Sequence, residues 1–284
     1  MPDTATLLID CPDRRGIVAA VSEFLYKHGA NITHADQHQD AEQRLFFMRV
    51  EWELSGFGLS LEEFPPAFAT VADRFSMQWK VTRSTSKPRV AIFVSKFDHC
   101  LADLLYRSSC GELRGEVAMV VGNHREGEKL ARFHDIPFHY IPVESARKEA
   151  AEASQLALLA QEKIDLVVLA RYMQILSPRF VDTYPQRIIN VHHSFLPAFI
   201  GAKPYHQAFE RGVKLIGASS HYVTSELDQG PIIEQVTARI SHRDQLEDLL
   251  QKGRELEKEV LSRAVRWHLE SRILVYGRKT VVFD

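Results

Sequence analysis

Cysteine is scarce in this sequence: Cys11, Cys100 and Cys110 are the three found among 284 residues. Three thiols spread over that length cannot build a paired framework, so a disulfide-stapled secreted scaffold is excluded. An excess of one charge is missing too. The 35 Lys and Arg face 37 Asp and Glu, a formal net charge of −2, which argues against nucleic acid as the partner. No apolar run approaches the roughly 20 residues that cross a bilayer, so no membrane partner is expected. Met1-Pro2-Asp3-Thr4 carries an acid where a secretory leader would carry positive charge. Internal repeats and low-complexity tracts are absent. What remains is 45% hydrophobic and 25% charged, enough to bury real cores, and it reads as a cytoplasmic protein of two ordinary domains.

Arg83-Ser84-Thr85-Ser86-Lys87-Pro88 is polar and ends in proline between apolar flanks, the composition of a linker. It divides the chain near position 86 into domains 1–84 and 85–284. In the first, Thr6 to Asp10 is β-prone, and Ile17, Val18, Val21 and Leu25 recur at helical spacing. Gly29 suits the left-handed position that ends such a helix. Asn31 to His38 and Leu45 to Leu54 read as strands, with Phe46, Met48, Val50 and Trp52 alternating. Ser60 and Glu63 have capping-box spacing ahead of a helix through Phe68, Val71, Ala72 and Phe75. Met77 to Thr82 closes a βαββαβ order, the ferredoxin-like arrangement with an antiparallel sheet.

The second domain changes rhythm. Arg89 to Ser95, Val117 to Val121, Phe138 to Ile141 and Leu166 to Leu169 are short apolar runs without polar alternation, separated by helical stretches. Buried parallel strands with crossover helices have this pattern, so a Rossmann-like α/β fold with a mostly parallel sheet is expected. Such sheets bind ligands at the carboxyl ends of their strands. Gln245 to Leu269 is an amphipathic helix, and Ile273 to Phe283, with Gly277 in its middle, reads as a hairpin.

The chemistry-bearing residues concentrate between Ala170 and Gln235. Asn190 and His192 are two apart in a strand and face the same side. Leu227-Asp228-Gln229-Gly230-Pro231 sits between two β-like runs. An amide, an imidazole and a carboxylate near strand ends are what an acyl tetrahedral intermediate needs. On spacing alone a satisfied structural pair and a turn aspartate are the commoner reading of these residues. His192, His193, His206 and His221 match no zinc-site spacing and have no thiol or acidic companions, so no metal is expected.

Asn190-Val191-His192-His193-Ser194-Phe195-Leu196-Pro197, followed by Gly201, resembles the signature of the formyltetrahydrofolate-using formyltransferase superfamily. Leu169 to Pro178 resembles its folate loop, and Leu227 to Ile233 its catalytic-aspartate segment. Asp13-Arg14-Arg15-Gly16-Ile17-Val18 with His28-Gly29-Ala30-Asn31-Ile32 resembles an ACT domain. That domain order, with His193-Ser194 and Ala202-Lys203-Pro204-Tyr205-His206, is similar to the formyltetrahydrofolate deformylase family. The resemblance implies hydrolysis of 10-formyltetrahydrofolate to formate and tetrahydrofolate, balancing one-carbon pools and supplying formate for purine synthesis. It implies Asn190, His192 and Asp228 as the catalytic trio. Arg171, Tyr172, Met173, Gln174, Ile175, Leu176, Ser225, Glu226 and Leu227 would contact the folate, which is substrate; no separate cofactor is implied.

The residue types suit those roles. Asn190 can donate to the oxyanion, a bond worth about 3–4 kcal/mol of barrier. His192 can donate and later pass a proton to the leaving nitrogen, while Asp228 favours its charged form or holds the water. Which of His192 and Asp228 takes the first proton stays open. The alternative is transfer to an amine such as glycinamide ribonucleotide, whose enzymes wrap the phosphate in a glycine-rich loop. Here that loop is Ser95-Lys96-Phe97-Asp98-His99-Cys100-Leu101, without glycine. In the ACT-like domain the resemblance points to Asp13, Arg14, Gly16, Ile17, Asn31 and Ile32 as an effector site for glycine or methionine, and to a homo-oligomer.

Overall fold

Two compact units emerge in the computed structural model, which describes residues 3–198 and 204–283. The first runs β1 (Thr4–Pro12), α1 (Ile17–Lys27), β2 (Asn31–Asp40), β3 (Leu45–Glu53), α2 (Phe64–Phe75) and β4 (Gln78–Arg83). Its sheet has the order β2-β3-β1-β4 with antiparallel neighbours. The expected alternation places Leu7, Ile9, Met48, Val50 and Trp52 on one face, where Val21, Leu25, Phe64 and Phe68 of the two helices cover them. The capping box forms: Glu63 N–H donates to Ser60 Oγ at 3.2 Å, and Ser60 N–H to Glu63 Oε2 at 2.9 Å. Gly29 ends α1 at φ 77°, where an added Cβ would lie 2.8 Å from the Gly56 carbonyl oxygen.

The opposite face of that sheet is covered by the C-terminal strands Ile273–Tyr276 and Lys279–Val282. Val281 and Phe283 bury themselves on Leu8 and Phe47. The first unit therefore takes residues up to Ser86 together with Glu270–Tyr276 and the chain from Thr280; the second takes Lys87–Leu269 and Gly277–Lys279. The sequence expectation had given all of 85–284 to the second domain. The difference arises because an alternating sheet offers Leu8 and Phe47 on its far face, and their apolar partners come from the other end of the chain.

The second unit runs β5 (Arg89–Val94), α3 (His99–Ser109), β6 (Glu116–Gly122), α4 (Glu128–Phe133), β7 (Phe138–Tyr140), α5 (Lys148–Gln161), β8 (Leu166–Ala170), α6 (Pro178–Thr183), β9 (Ile188–His192), α7 (Pro204–Arg211), β10 (Leu215–Tyr222), β11 (Ile232–Arg239) and α8 (Leu246–Leu269). Its seven strands lie in the order β11-β10-β9-β8-β5-β6-β7. From β9 to β7 neighbours are parallel, whereas β10 pairs antiparallel with both β9 and β11. The chain builds outward from β5 through β6 and β7, then returns to add β8 and β9 on the other side. That reversal opens a crevice at the carboxyl ends of β5 and β8. The long helix α8 packs Leu249, Leu256, Val260 and Ala264 into the unit and lies against β9, β10 and β11.

Candidate functional site

The strand pairing aims the first two groups. Asn190 and His192 project from one face of β9, and the antiparallel register sets His221 opposite Asn190 and Ser219 opposite His192. Asp228 arrives on the connection between β10 and β11 with φ 55°, in the left-handed region. Two residues on, an added Cβ at Gly230 would fall 1.7 Å from the Tyr222 carbonyl oxygen, so only glycine lets the loop press this closely onto β10.

Three buried side chains meet there. His192 Nδ1 lies 3.2 Å from Asp228 Oδ2, and His221 Nε2 lies 3.7 Å from Asp228 Oδ1. Burial acts to raise the Asp228 carboxyl. The hydrogen bond from His192 outweighs burial and holds the group well below the ordinary carboxylate range. His221 Nδ1 is 2.9 Å from the Tyr222 carbonyl, which can only accept, so Nδ1 carries the hydrogen. Nε2 is then a lone pair facing Asn190 Nδ2 at 3.3 Å. One amide hydrogen of Asn190 is spent on His221 and the other remains free. His192 Nε2 is buried and has no hydrogen-bond partner among the described residues. Asp228 thus holds the imidazole by one nitrogen and leaves the other available for proton exchange.

Beside these groups lies a cleft of about 280 Å³. The segments 171–176 and 224–228 form its walls, so all nine residues expected to contact the folate, Arg171 to Leu176 and Ser225 to Leu227, line it. Within the first wall the side chains divide. Tyr172 and Leu176 are buried in the core, while Met173, Ile175 and, across the cleft, Leu227 are 54%, 60% and 53% exposed. Apolar side chains bared around a concavity can receive an apolar or aromatic ligand. The backbone of that wall is pinned from below. Met173 N–H donates to Ser95 Oγ at 3.0 Å, and Ser95 Oγ donates to Asn123 Oδ1 at 2.7 Å. Gln155 donates to the Tyr172 hydroxyl at 2.9 Å, and Ser177 N–H to Glu152 at 3.0 Å.

A second buried cluster adjoins the first, and sequence reasoning had not assembled it. Glu257 of α8 receives His99 Nε2 at 2.7 Å and the Tyr205 hydroxyl at 3.1 Å, and Arg171 Nε lies 3.4 Å from it. Gly253 sits one turn earlier, where any Cβ would strike the Tyr205 ring at 2.3 Å. His193 bridges the clusters, its ring 5.2 Å from His192 and 6.2 Å from Tyr205. Burial, then the charges of Arg171 and His192, push His193 down to about 4. The signal available in sequence was Glu257 itself, a carboxylate on the apolar stripe of α8. Among the described residues, His99, Cys100 and Glu257 place ligand atoms within 4.8 Å of one another. That donor set suits a cation poorly: the Glu257 carboxylate is already shared, a guanidinium adjoins it, and burial holds the Cys100 thiol protonated. Gly201, Ala202 and Lys203, part of the sequence pattern, lie outside the described residues.

The six effector candidates do not converge within one chain. Asp13, Arg14, Gly16 and Ile17 follow β1 at the end of the sheet where Pro12 pairs with Leu45. Asn31 and Ile32 start β2 at the other end, where Asn31 pairs with Glu53. Gly16 adopts φ 92° at the start of α1, and Ile17 is buried in the core.

A family model described as formyl transferase matches residues 88–265, and one described as ACT domain matches residues 5–58. A formyltetrahydrofolate deformylase of Synechocystis is 53% identical over 280 residues, covering 99% of this chain and 98% of that protein. One from Bacillus subtilis is 52% identical over 283 residues, covering 99% and 94%. The crystal structure of a formyltetrahydrofolate deformylase from Pseudomonas syringae pv. tomato superposes with a TM-score of 0.98 at 50% identity, covering 100% of this chain and 95% of that one. Glycinamide ribonucleotide transformylase 1 from Symbiobacterium toebii is more distant, with a TM-score of 0.66 at 30% identity over 70% of this chain and 95% of that one.

Proposed function

This chain belongs to the formyltetrahydrofolate deformylase family, and from that premise we propose that it is a hydrolase cleaving 10-formyltetrahydrofolate to formate and tetrahydrofolate. The observation that carries the chemistry is the His192–Asp228 pair beside Asn190, 3.2 Å apart and buried at the floor of the cleft. In this reading Met173, Ile175 and Leu227 hold the pterin ring. The formyl oxygen takes the free amide hydrogen of Asn190.

Asp228 is too acidic to be a useful base, since its carboxylate is already stabilised by His192. The first proton therefore goes to His192 Nε2 from the attacking water. Asp228 holds the resulting imidazolium by Nδ1–H. As the tetrahedral intermediate collapses, the C–N bond breaks, its electron pair returns to N10, and His192 delivers the proton there. Folate is the substrate, and no step in this scheme calls on a separate cofactor.

Transfer to glycinamide ribonucleotide is the second reading, and the loop from Ser95 to His99 weighs against it. The Ser95 hydroxyl is committed to Asn123 and Met173 and the His99 ring to Glu257, so two of the loop's polar side chains are engaged internally, and the exposed Lys96 has no glycine-built cradle beside it. Incubation with 10-formyltetrahydrofolate in amine-free buffer decides between the two. Formate release is expected; turnover that waits for glycinamide ribonucleotide would overturn the hydrolytic reading.

For the first unit the proposal is an amino-acid effector, glycine or methionine, at the turn from Asp13 to Ile17, in a cytoplasmic homo-oligomer. Gly16 lets backbone approach a carboxylate at the start of α1. Saturating amounts of either should shift the rate or the melting temperature, and light scattering should give a mass above that of one chain. Among the described residues no helix is long and apolar enough to cross a membrane.

A further inference from the structure

Among the described residues lining the cleft, Arg171 is the one lysine or arginine. Its neighbours in the same wall, Met173 and Ile175, are exposed, but the Arg171 side chain is only 10% exposed and lies against Glu257 and Phe97. Its Nε and Nη1 are buried and meet no hydrogen-bond partner among the described residues. A guanidinium presents five donors in a plane matched to a carboxylate, and leaving such donors unmet inside a protein is costly. Glu257 meets the group incompletely, because its oxygens also serve His99 and Tyr205. A second, external carboxylate is what the remaining donors fit.

The reaction supplies one. Water adds to the formyl carbon, the C–N10 bond breaks with its electrons and a proton going to N10, and the formic acid left behind loses its remaining proton to solvent. The anion so formed arises beside Asp228, which is itself held ionised, and two carboxylates in one buried site repel each other. Transfer to an amine would create no such anion. We propose that Arg171 is the receptor for the formate carboxylate, a product subsite whose role rests on the hydrolytic reading above. Glu257 then has two effects: it fixes the plane of the guanidinium, and its negative charge keeps the anion loosely enough held to leave.

The probe is sodium [13C]formate added to the whole enzyme, with sodium chloride at equal ionic strength as the reference. Line broadening of the formate resonance reads binding without turnover, so inactive variants still report. Formate should bind wild type better than chloride does. Arg171→Met should weaken it roughly ten- to hundredfold, the worth of a charge-assisted pair. Glu257→Gln should tighten it, because a competing anion is gone. Arg171→Lys, which keeps the charge but not the fork, should fall between and serves if the Met variant does not fold. Equal binding by wild type and Arg171→Met, or weakening in both the Arg171 and Glu257 variants, would reduce the cluster to a structural one. An enzyme that releases formate from 10-formyltetrahydrofolate yet binds free formate no better than chloride sinks this proposal alone; one that releases none sinks the hydrolytic reading beneath it.

Discussion

Replacing Asp228 with Asn isolates the electrostatic part of the site. Asparagine is the right substitute because residue 228 sits at φ 55°, a conformation Asn tolerates and Ala resists. The loop should keep its shape while the negative charge disappears. On the proposed mechanism His192 becomes an imidazolium in the transition state, with its Nδ1 3.2 Å from that charge. Two unit charges at that separation attract by about 5 kcal/mol at an effective dielectric constant of about 20. A neutral hydrogen bond from the Asn oxygen restores part of this, leaving about 3–5 kcal/mol lost, or a fall in turnover of roughly 100- to 5,000-fold. Single-turnover formate release measures it, with circular dichroism to verify folding. Stability carries a second signature. The Asp228 carboxyl lies below its ordinary value of 3.8 when folded, so its contribution is present above that pH and disappears as pH falls toward the folded value. The stability gap between wild type and variant should be largest at neutral pH and close in acid. A folded variant within tenfold of wild-type turnover would refute the whole assignment of roles.

Ser95→Ala removes the hydroxyl that links Asn123 to the Met173 N–H; loss of about 1–2 kcal/mol in positioning should raise KM roughly tenfold with little change in kcat. Gly230→Ala cannot place its Cβ 1.7 Å from the Tyr222 carbonyl oxygen, so the loop must shift, and both melting temperature and turnover should drop, by more than about 2 kcal/mol in stability. His193 is held neutral, at about 4 against an ordinary 6.5. Its contribution is present above pH 6.5 and is lost as pH falls toward 4. His193→Gln should therefore flatten the stability profile across that window by about 3 kcal/mol, read by denaturant titration at several pH values.

Much of this was readable before any coordinates. Alternation in Phe46 to Trp52 and the unbroken apolar runs of β5 and β8 announce two different sheets, because burial on one face and on both faces leave different patterns. The Ser60–Glu63 box and Gly29 mark helix ends through local hydrogen bonding alone. What escaped is long-range or short. The helices Pro178–Thr183 and Pro204–Arg211 have too few turns for a period to register. Nothing near Val281 and Phe283 reveals that Leu8 and Phe47 await them. In the site, Asn190, His192 and Asp228 stand out as a set through the resemblance of their segments, and the structure brings them together, whereas the partnership of Arg171, Glu257, His99 and Tyr205 joins four separate elements. Helical periodicity explains most of α8 so well that one carboxylate in its stripe passes unnoticed.

Opposite Asn190 on the next strand stands His221, one rung of a main-chain ladder. The aim of the proposed oxyanion donor is therefore inherited from the sheet, while the proposed seat of the ring is left to two surface segments, 171–176 and 224–228. Warhead and handle are separately engineered. A designer seeking a new N-formyl compound could graft different rims onto this barrel of chemistry without retuning its trigger, whereas sliding Asn190 by a single place would turn it to the wrong side of the sheet and disarm the enzyme whatever the rims were made of.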